Sequence, residues 1–404
     1  MHQLSKQPFN RDTVKLKRIG LLPRILIAIV LGIGLGLCLP MPLVRLFVTF
    51  NGVFGQLLKF MVPFIILGLV TPAIGGIGRS AGKLLLTTVL IAYVDTILSG
   101  LLAYGTGSVF FPALVAGGVS GTESAMAASE AIAPYFEINI PAMFDVMSAL
   151  VLSFIVGLCI AYIELPTLRG IAIEFRVVVS KAISKLIIPL LPLYIFGIFL
   201  EMTVSGQVWR IVSVFAWVIA IIFVLHVFIL VYQYLIAGLV AKKNPFRLLY
   251  NMLPAYMTAL GTSSSAATIP VTLRQTLKNG VSEDVAGFCV PLCATIHLSG
   301  SAMKITACAL TICLLEGIPF DFPLFVHFVL MLSLVMVAAP GVPGGAIMAA
   351  LAPLSSILGF NEDQQALMIA LYIAMDSFGT ACNVTGDGAI AIVVDRLKAI
   401  LHSR

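Results

Sequence analysis

Long, unbroken apolar runs dominate the hydrophobic pattern of this chain. They cover about residues 21–40, 44–73, 83–112, 143–164, 177–203 and 208–241. Each exceeds the roughly 18 consecutive apolar residues that mark a membrane-crossing helix, so all six are predicted to span a bilayer. From residue 248 the pattern changes. Residues 248–275 form two short apolar arms around Gly261–Ala267, and basic residues (Arg247, Arg274, Lys278) stand on both flanks. A crossing helix would put those flanks on opposite sides, whereas a re-entrant hairpin keeps both in the cytoplasm. Residues 323–357 repeat the arrangement around Ala339–Gly345 without basic flanks, which predicts a second hairpin entering from outside. Each hairpin precedes a long interrupted helix: 284–316, predicted to break near His297–Ser301, and 364–398, predicted to break near Asn383–Asp387. Lipid offers no partner to a freed backbone group, so such breaks survive only inside protein or beside a cavity.

The expected fold is therefore an all-α integral membrane protein. It has eight transmembrane helices plus two re-entrant hairpins, arranged as inverted repeats with broken helices. The expected divisions are a cytoplasmic N-terminal segment at 1–20, helices one to six at 21–247, and a transport core at 248–398. Charge supplies the orientation. Lys6, Arg11, Lys15, Lys17, Arg18 and Arg24 precede the first run, and Arg79 and Lys83 fill the second loop. Arg169, Arg176, Lys181 and Lys185 fill the fourth, and Lys242, Lys243 and Arg247 the sixth. The third loop, 113–142, holds Glu123, Glu130 and Glu137 but neither Lys nor Arg. Cationic loops stay on the cytoplasmic side, so both termini are expected there, with the Gly/Ser/Ala-rich stretch 116–131 outside and mobile.

Composition agrees, with 60% hydrophobic and 10% charged residues against the roughly 25% charged of ordinary soluble domains. No cleavable signal peptide is evident, because the charged start leads into a long apolar run. The seven cysteines fall mostly within apolar runs, where a thiol acts as a small hydrophobe. Cys289 and Cys293 lack a nearby His or carboxylate at metal-site spacing. Candidate chemistry lies in Asp376, Asp387, Asp95, Lys304 and His297, because ionisable residues inside apolar segments are rare and usually functional.

Four motifs in order make the chain resemble the dicarboxylate/amino acid:cation symporters, the glutamate-transporter homologues. They are Ser263-Ser-Ser-Ala-Ala-Thr-Ile-Pro270, Pro291-Leu-Cys-Ala-Thr-Ile296, Gly341-Val-Pro-Gly344 and Asn383-Val-Thr-Gly-Asp387. The resemblance is strong over 250–396 and mainly topological before that. It implies a homotrimer in a bacterial inner membrane, with helices one to six shared between a trimer scaffold and a mobile core. Asp376 would hold a substrate ammonium and Asn383 its α-carboxylate, helped by Ser263, Ser264 and backbone amides near Ser265, with Ser301 and Thr380 lining the site. Val342 would lend a carbonyl as the second hairpin closes. Asp387 would ligate sodium with carbonyls around Cys293, His297 and Asn383, while Thr295 and the carbonyls ending at Ala339 would form a second sodium site. Hard cations favour such oxygen ligands.

Departures from the family pattern narrow the substrate. Acidic-substrate members use an arginine where this chain has Ser263 and Gly379, and no guanidinium fork is left for a side-chain carboxylate. The Asp376–Thr380 segment is similar to the serine/threonine symporter branch. A small neutral amino acid (serine, threonine or alanine) moved with Na⁺, and no organic cofactor, is the expectation. Members also place an aspartate in the seventh helix, where this chain has Ser299, whereas Asp95 and Thr96 occupy the third helix. Asp95 needs a counter-charge, either a sodium shared with Thr96 and Ser299, or Lys304 or a protonated His297. Lys304 is the favoured partner, since its own charge needs one too. A carboxylate substrate with proton or fewer-sodium coupling, a channel and an intramembrane hydrolase are the competing readings. The last lacks a placed nucleophile and base.

Overall fold

The computed structural model describes residues 21–76, 83–119, 132–206, 208–337, 339 and 344–402. Among these residues every regular element is helical. Val342, Gly341, Arg79 and most of the 116–131 stretch lie outside the described residues. The first half comprises α1 (Leu21–Gly36), α2 (Met41–Gly76), α3 (Lys83–Val119), α4 (Val146–Tyr162), α5 (Pro166–Ala182), α6 (Ile188–Val204) and α7 (Val208–Ala241). A π-helical turn at Ile183–Ile187 joins α5 to α6. The apolar run predicted to start at 177 is thus the end of a longer rod that begins at Pro166.

Local chemistry explains where the helices start. Asp145 caps α4 by accepting from the amide of Ser148 at 3.0 Å, satisfying an amide that has no intrahelical acceptor. Pro166 takes the first position of α5, where its missing N–H costs nothing. Small residues then set the packing. A Cβ at Gly32 would lie 2.7 Å from the Phe196 carbonyl oxygen, and one at Gly36 would lie 2.6 Å from Thr203 Cβ. This glycine pair, one helical turn apart, lets α1 lie directly on α6, as small residues do between membrane helices.

The second half comprises α8 (Pro245–Thr262), α9 (Ser265–Lys278), α10 (Glu283–Ile296), α11 (Ser299–Glu316), α12 (Phe322–Met336), α13 (Gly345–Ser356), α14 (Glu362–Ala374) and α15 (Asp376–His402). α8 and α9 form a tight helical pair that turns at Ser263 and Ser264. Ser263 adopts φ 48°, ψ 30° as it ends α8, and the Ser264 hydroxyl caps α9 by accepting from the amide of Ala267 at 3.3 Å. α11 is buried from Ser299 to Cys313, and α13 from Gly345 to Leu354. α3 packs along α11 and α7 along α15, so the first half delivers side chains to the centre of the second.

The structure corrects one break. α10 and α11 separate at His297 and Leu298, within the predicted interval. In the last segment, however, α15 runs unbroken through Asn383–Asp387, and the interruption falls at Met375 between α14 and α15. Gly386 and Gly388 act there as packing residues. Cβ atoms at these positions would stand 2.8 Å from Gln233 Oε1 and 2.7 Å from Met252 Cε.

Six helical stretches among the described residues are long and apolar enough to cross a membrane. Four shorter apolar helices accompany them: Pro23–Gly36, Val151–Tyr162, Phe322–Met336 and Gly345–Ser356. Outward-facing Val30, Leu90, Trp217 and Val224 are exposed. An apolar surface of that extent requires lipid or another subunit against it.

Candidate functional site

Two adjacent polar clusters occupy the otherwise apolar centre. The first is built on Asp376, the residue that restarts the helix after Met375. Its Oδ2 accepts from the amide of Gly344 at 2.9 Å, and Gly344 takes the left-handed conformation (φ 75°) just before α13. Its Oδ1 stands 3.4 Å from Lys304 Nζ. Next to Asp376, the Ser377 and Ser263 hydroxyls are 2.6 Å apart. The tip of the α8–α9 pair and the entry to α13 therefore meet beside one buried carboxylate. Thr380 is turned inward along its own helix, with Oγ1 donating to the Asp376 carbonyl at 2.9 Å.

Asn383 lies two turns further along α15 and faces the start of α11. Its Oδ1 accepts from the amides of Gly300 at 2.8 Å and Ser301 at 3.3 Å, and its Nδ2 donates to Ser301 Oγ at 3.1 Å. These amides are free because α11 begins at Ser299, and the first turn of a helix has no internal acceptors. Ser301 Oγ is also 3.1 Å from the Tyr372 hydroxyl, and the Tyr372 ring lies under Lys304 Nζ at 3.5 Å. Asp376, Lys304, Tyr372, Ser301 and Asn383 thus form one continuous polar surface.

The second cluster centres on His297, at the α10–α11 break. Its Nδ1 is 2.9 Å from Asp387 Oδ1 and its Nε2 is 2.8 Å from Asp95 Oδ2. If both carboxylates are ionised, each ring nitrogen donates and the ring carries a positive charge. Asp95 also accepts from Tyr232 Oη at 2.5 Å and Gln233 Nε2 at 2.7 Å. Gln233 Nε2 reaches Ser299 Oγ at 3.3 Å, whereas Thr96 returns its hydroxyl to the Ala92 carbonyl of its own helix. An apolar crevice lined by Leu90, Val94, Leu98, Tyr232 and Ile390 leads to Asp95.

These contacts correct the expected pairing. Lys304 does not meet Asp95; it takes Asp376, and Asp95 takes His297. The cause lies in the break itself. Unwinding at His297 swings the imidazole between α3 and α15, while Lys304, further along the rewound α11, points toward Met375 and donates to its carbonyl at 3.3 Å. The sequence reading valued His297 for its carbonyl and offered its ring only as an alternative counter-charge to Lys304; here the ring meets both Asp95 and Asp387.

A hard cation takes oxygen ligands. Gln233 Oε1 and Thr385 Oγ1 are buried without a hydrogen-bond partner, and unsatisfied polar atoms at such depth are costly. The carbonyl of Cys293 already accepts from the His297 amide at 2.9 Å. Thr295, half-buried, donates to the Leu292 carbonyl at 2.8 Å, and Ala339 is buried after α12. Ser265 is buried and Ser264 half-buried at the hairpin tip.

Sequence reasoning missed Tyr232, Gln233 and Tyr372, and it read Gly344 only as part of the second hairpin tip. The first two were legible as the polar interruption of the apolar α7 run. Tyr372, one turn before Asp376, resembles any aromatic in an apolar helix and gave no signal.

Comparison with known proteins supplies the family. The model of the sodium:dicarboxylate symporter family matches residues 21–397. The serine/threonine transporter SstT of Acinetobacter baylyi is 26% identical over 406 residues, covering 94% of this chain and 98% of that protein. An excitatory amino acid transporter of Caenorhabditis elegans is 28% identical over 252 residues, 60% of this chain and half of its own length. Human excitatory amino acid transporter 2 is 33% identical over 165 residues, 41% of this chain and 29% of that protein. This family and these relatives are transporters rather than enzymes. With the family model spanning residues 21–397, nearly the whole chain, the chain belongs to the sodium:dicarboxylate symporter family.

Proposed function

We propose that the chain couples a cation gradient to inward movement of a small carboxylate-bearing solute by alternating access. The observation that carries this reading is the convergence of Ser263, from one helical pair, and Gly344, from the other, beside Asp376. A gate on each side of a single site is what alternating access requires. Asn383, with the amides that open α11 and those near Ser265, is the natural seat for a solute carboxylate, with Ser301, Thr380 and Ser264 around it. Val342 would add a carbonyl from the second tip.

For the coupled ion, Asp387 with carbonyls of Cys293, His297 and Asn383 is one candidate seat, and Thr295 with the Ala339 carbonyl a second. The sequence-derived expectation, serine, threonine or alanine carried with Na⁺, is supported by the absence of arginine at 263 and 379. The substrates in the name of the full-length relative agree with it. A second reading, a carboxylate with altered or fewer-sodium coupling, is favoured by two contacts. Lys304 stands on the carboxylate meant for an ammonium, and His297 fills the space between Asp95 and Asp387. A homotrimer in a bacterial inner membrane, with both termini cytoplasmic, completes the proposal.

Ligand-induced stabilisation tests it, because a ligand that binds only the folded state raises the melting temperature. Detergent-purified protein should melt higher with a small carboxylate solute in NaCl than in KCl. A melting temperature unmoved by serine, threonine, alanine or their hydroxy-acid counterparts in either salt would contradict the reading.

A further inference from the structure

We propose that Lys304 sets the substrate class of this site. Its ammonium occupies on Asp376 the place of a substrate ammonium, so the solute carried is a small monocarboxylate without an amine. The inference rests on the transporter reading above and names its substrate.

The geometry is that of a built-in counter-ion. Both oxygens of Asp376 are engaged, one by the Gly344 amide at 2.9 Å and the other by Lys304 Nζ at 3.4 Å. Lys304 is wholly buried. Its ammonium is held further by the Met375 carbonyl at 3.3 Å and by the face of Tyr372 at 3.5 Å, a cation–π contact that strengthens when water is excluded. Position 379 completes the seat. A Cβ on Gly379 would stand 2.7 Å from Nζ and 2.9 Å from Cε of Lys304. A side chain at 379 would collide with the lysine, which fills that space from another helix.

Charge balance then selects the solute. Asp376 and Lys304 cancel, so the empty site is neutral at this point. An amino acid that set its ammonium on Asp376 would displace Lys304 and leave a buried cation with only a carbonyl and a ring. Stranding one member of a buried pair is strongly unfavourable. A carboxylate without an amine leaves the pair intact and meets Asn383 and Ser301, with the positive charge of Lys304 one residue layer away. Selectivity against an amine then comes from the unpaired charge it would create, a penalty on the wrong solute rather than an added contact to the right one.

The test uses full-length protein in proteoliposomes and solutes matched except for the amine: L-lactate against L-alanine, and glycerate against L-serine. Wild type should take up the hydroxy acids about tenfold or more in preference. Lys304→Met frees Asp376 and should turn the ratio toward alanine and serine. Lys304→Met with Asp376→Asn strands no charge and offers an ammonium no partner, so its ratio should stay with the hydroxy acids. It also reports if the single variant fails to fold. Wild type that prefers alanine or serine, or a Lys304→Met ratio equal to wild type, would overturn the inference and leave the transporter reading standing. Uptake of no solute in either set under any cation gradient would instead defeat the transporter reading itself.

Discussion

Four intramembrane charges and one imidazole decide how this site works, and proximity in the fold, not order in the chain, pairs them. Asp95, Asp376, Asp387 and Lys304 were visible in the sequence as charges inside apolar runs. Their pairing was not, although His297 stood among the candidates for Asp95, because it depends on which way α11 is rotated once it restarts at Ser299. With Lys304 on Asp376 and Asp95 on His297, the two clusters share no ion pair. Asp95→Asn and Lys304→Met should therefore act independently, their stability losses adding to within about 0.5 kcal/mol. Lys304→Met alone should cost about 3–5 kcal/mol by leaving Asp376 buried and unpaired, and Asp376→Asn in the same chain should recover part of that. Denaturant or thermal unfolding of the single and double variants in detergent measures both. A Lys304→Met loss relieved by Asp95→Asn but not by Asp376→Asn would reverse the assignment.

At the scale of elements, glycine is ambiguous in sequence and resolved by its neighbours. The Asn383–Asp387 segment reads as a helix break because Gly386 sits among polar residues. In the structure it is a point of close approach, where a Cβ would come within 2.8 Å of both Gln233 Oε1 and His297 Cε1. The His297 break was legible because polar and small residues cluster there inside an apolar run. The Met375 break was not, since Ala374-Met375 is ordinary helical sequence and only the tertiary contacts of Asp376 interrupt it. Gly386→Ala should consequently push His297 and Gln233 off Asp95 and depress transport. Gly287→Ala, on α10 with open space at its Cβ, should leave transport intact and stabilise by about 0.5–1 kcal/mol through the unfolded chain. Initial uptake rates and melting temperatures of the two variants separate the effects. Equal losses would mean that crowding at Gly386 is not what matters.

For the whole molecule, class and family were legible from apolar runs and from four motifs in order. Chain length alone did not decide which helices cross, because Pro23–Gly36 and Val151–Tyr162 are shorter than a typical span. Orientation rests on charge asymmetry between loops and is open to direct labelling. Glu137 is exposed in the connection between α3 and α4. A Glu137→Cys variant, with the exposed Cys38 changed to Ser, should react with an impermeant thiol reagent from outside the cell. Reaction only after the membrane is opened would invert the topology. The most direct measurement is solute uptake into proteoliposomes holding the purified chain, with the inward Na⁺ gradient replaced in turn by K⁺ and by a proton gradient. Saturable uptake of a small carboxylate that concentrates it against its own gradient, under a Na⁺ or proton gradient but not K⁺, is the expected result. Flux that neither saturates nor concentrates the solute would contradict cation-coupled transport and indicate a channel.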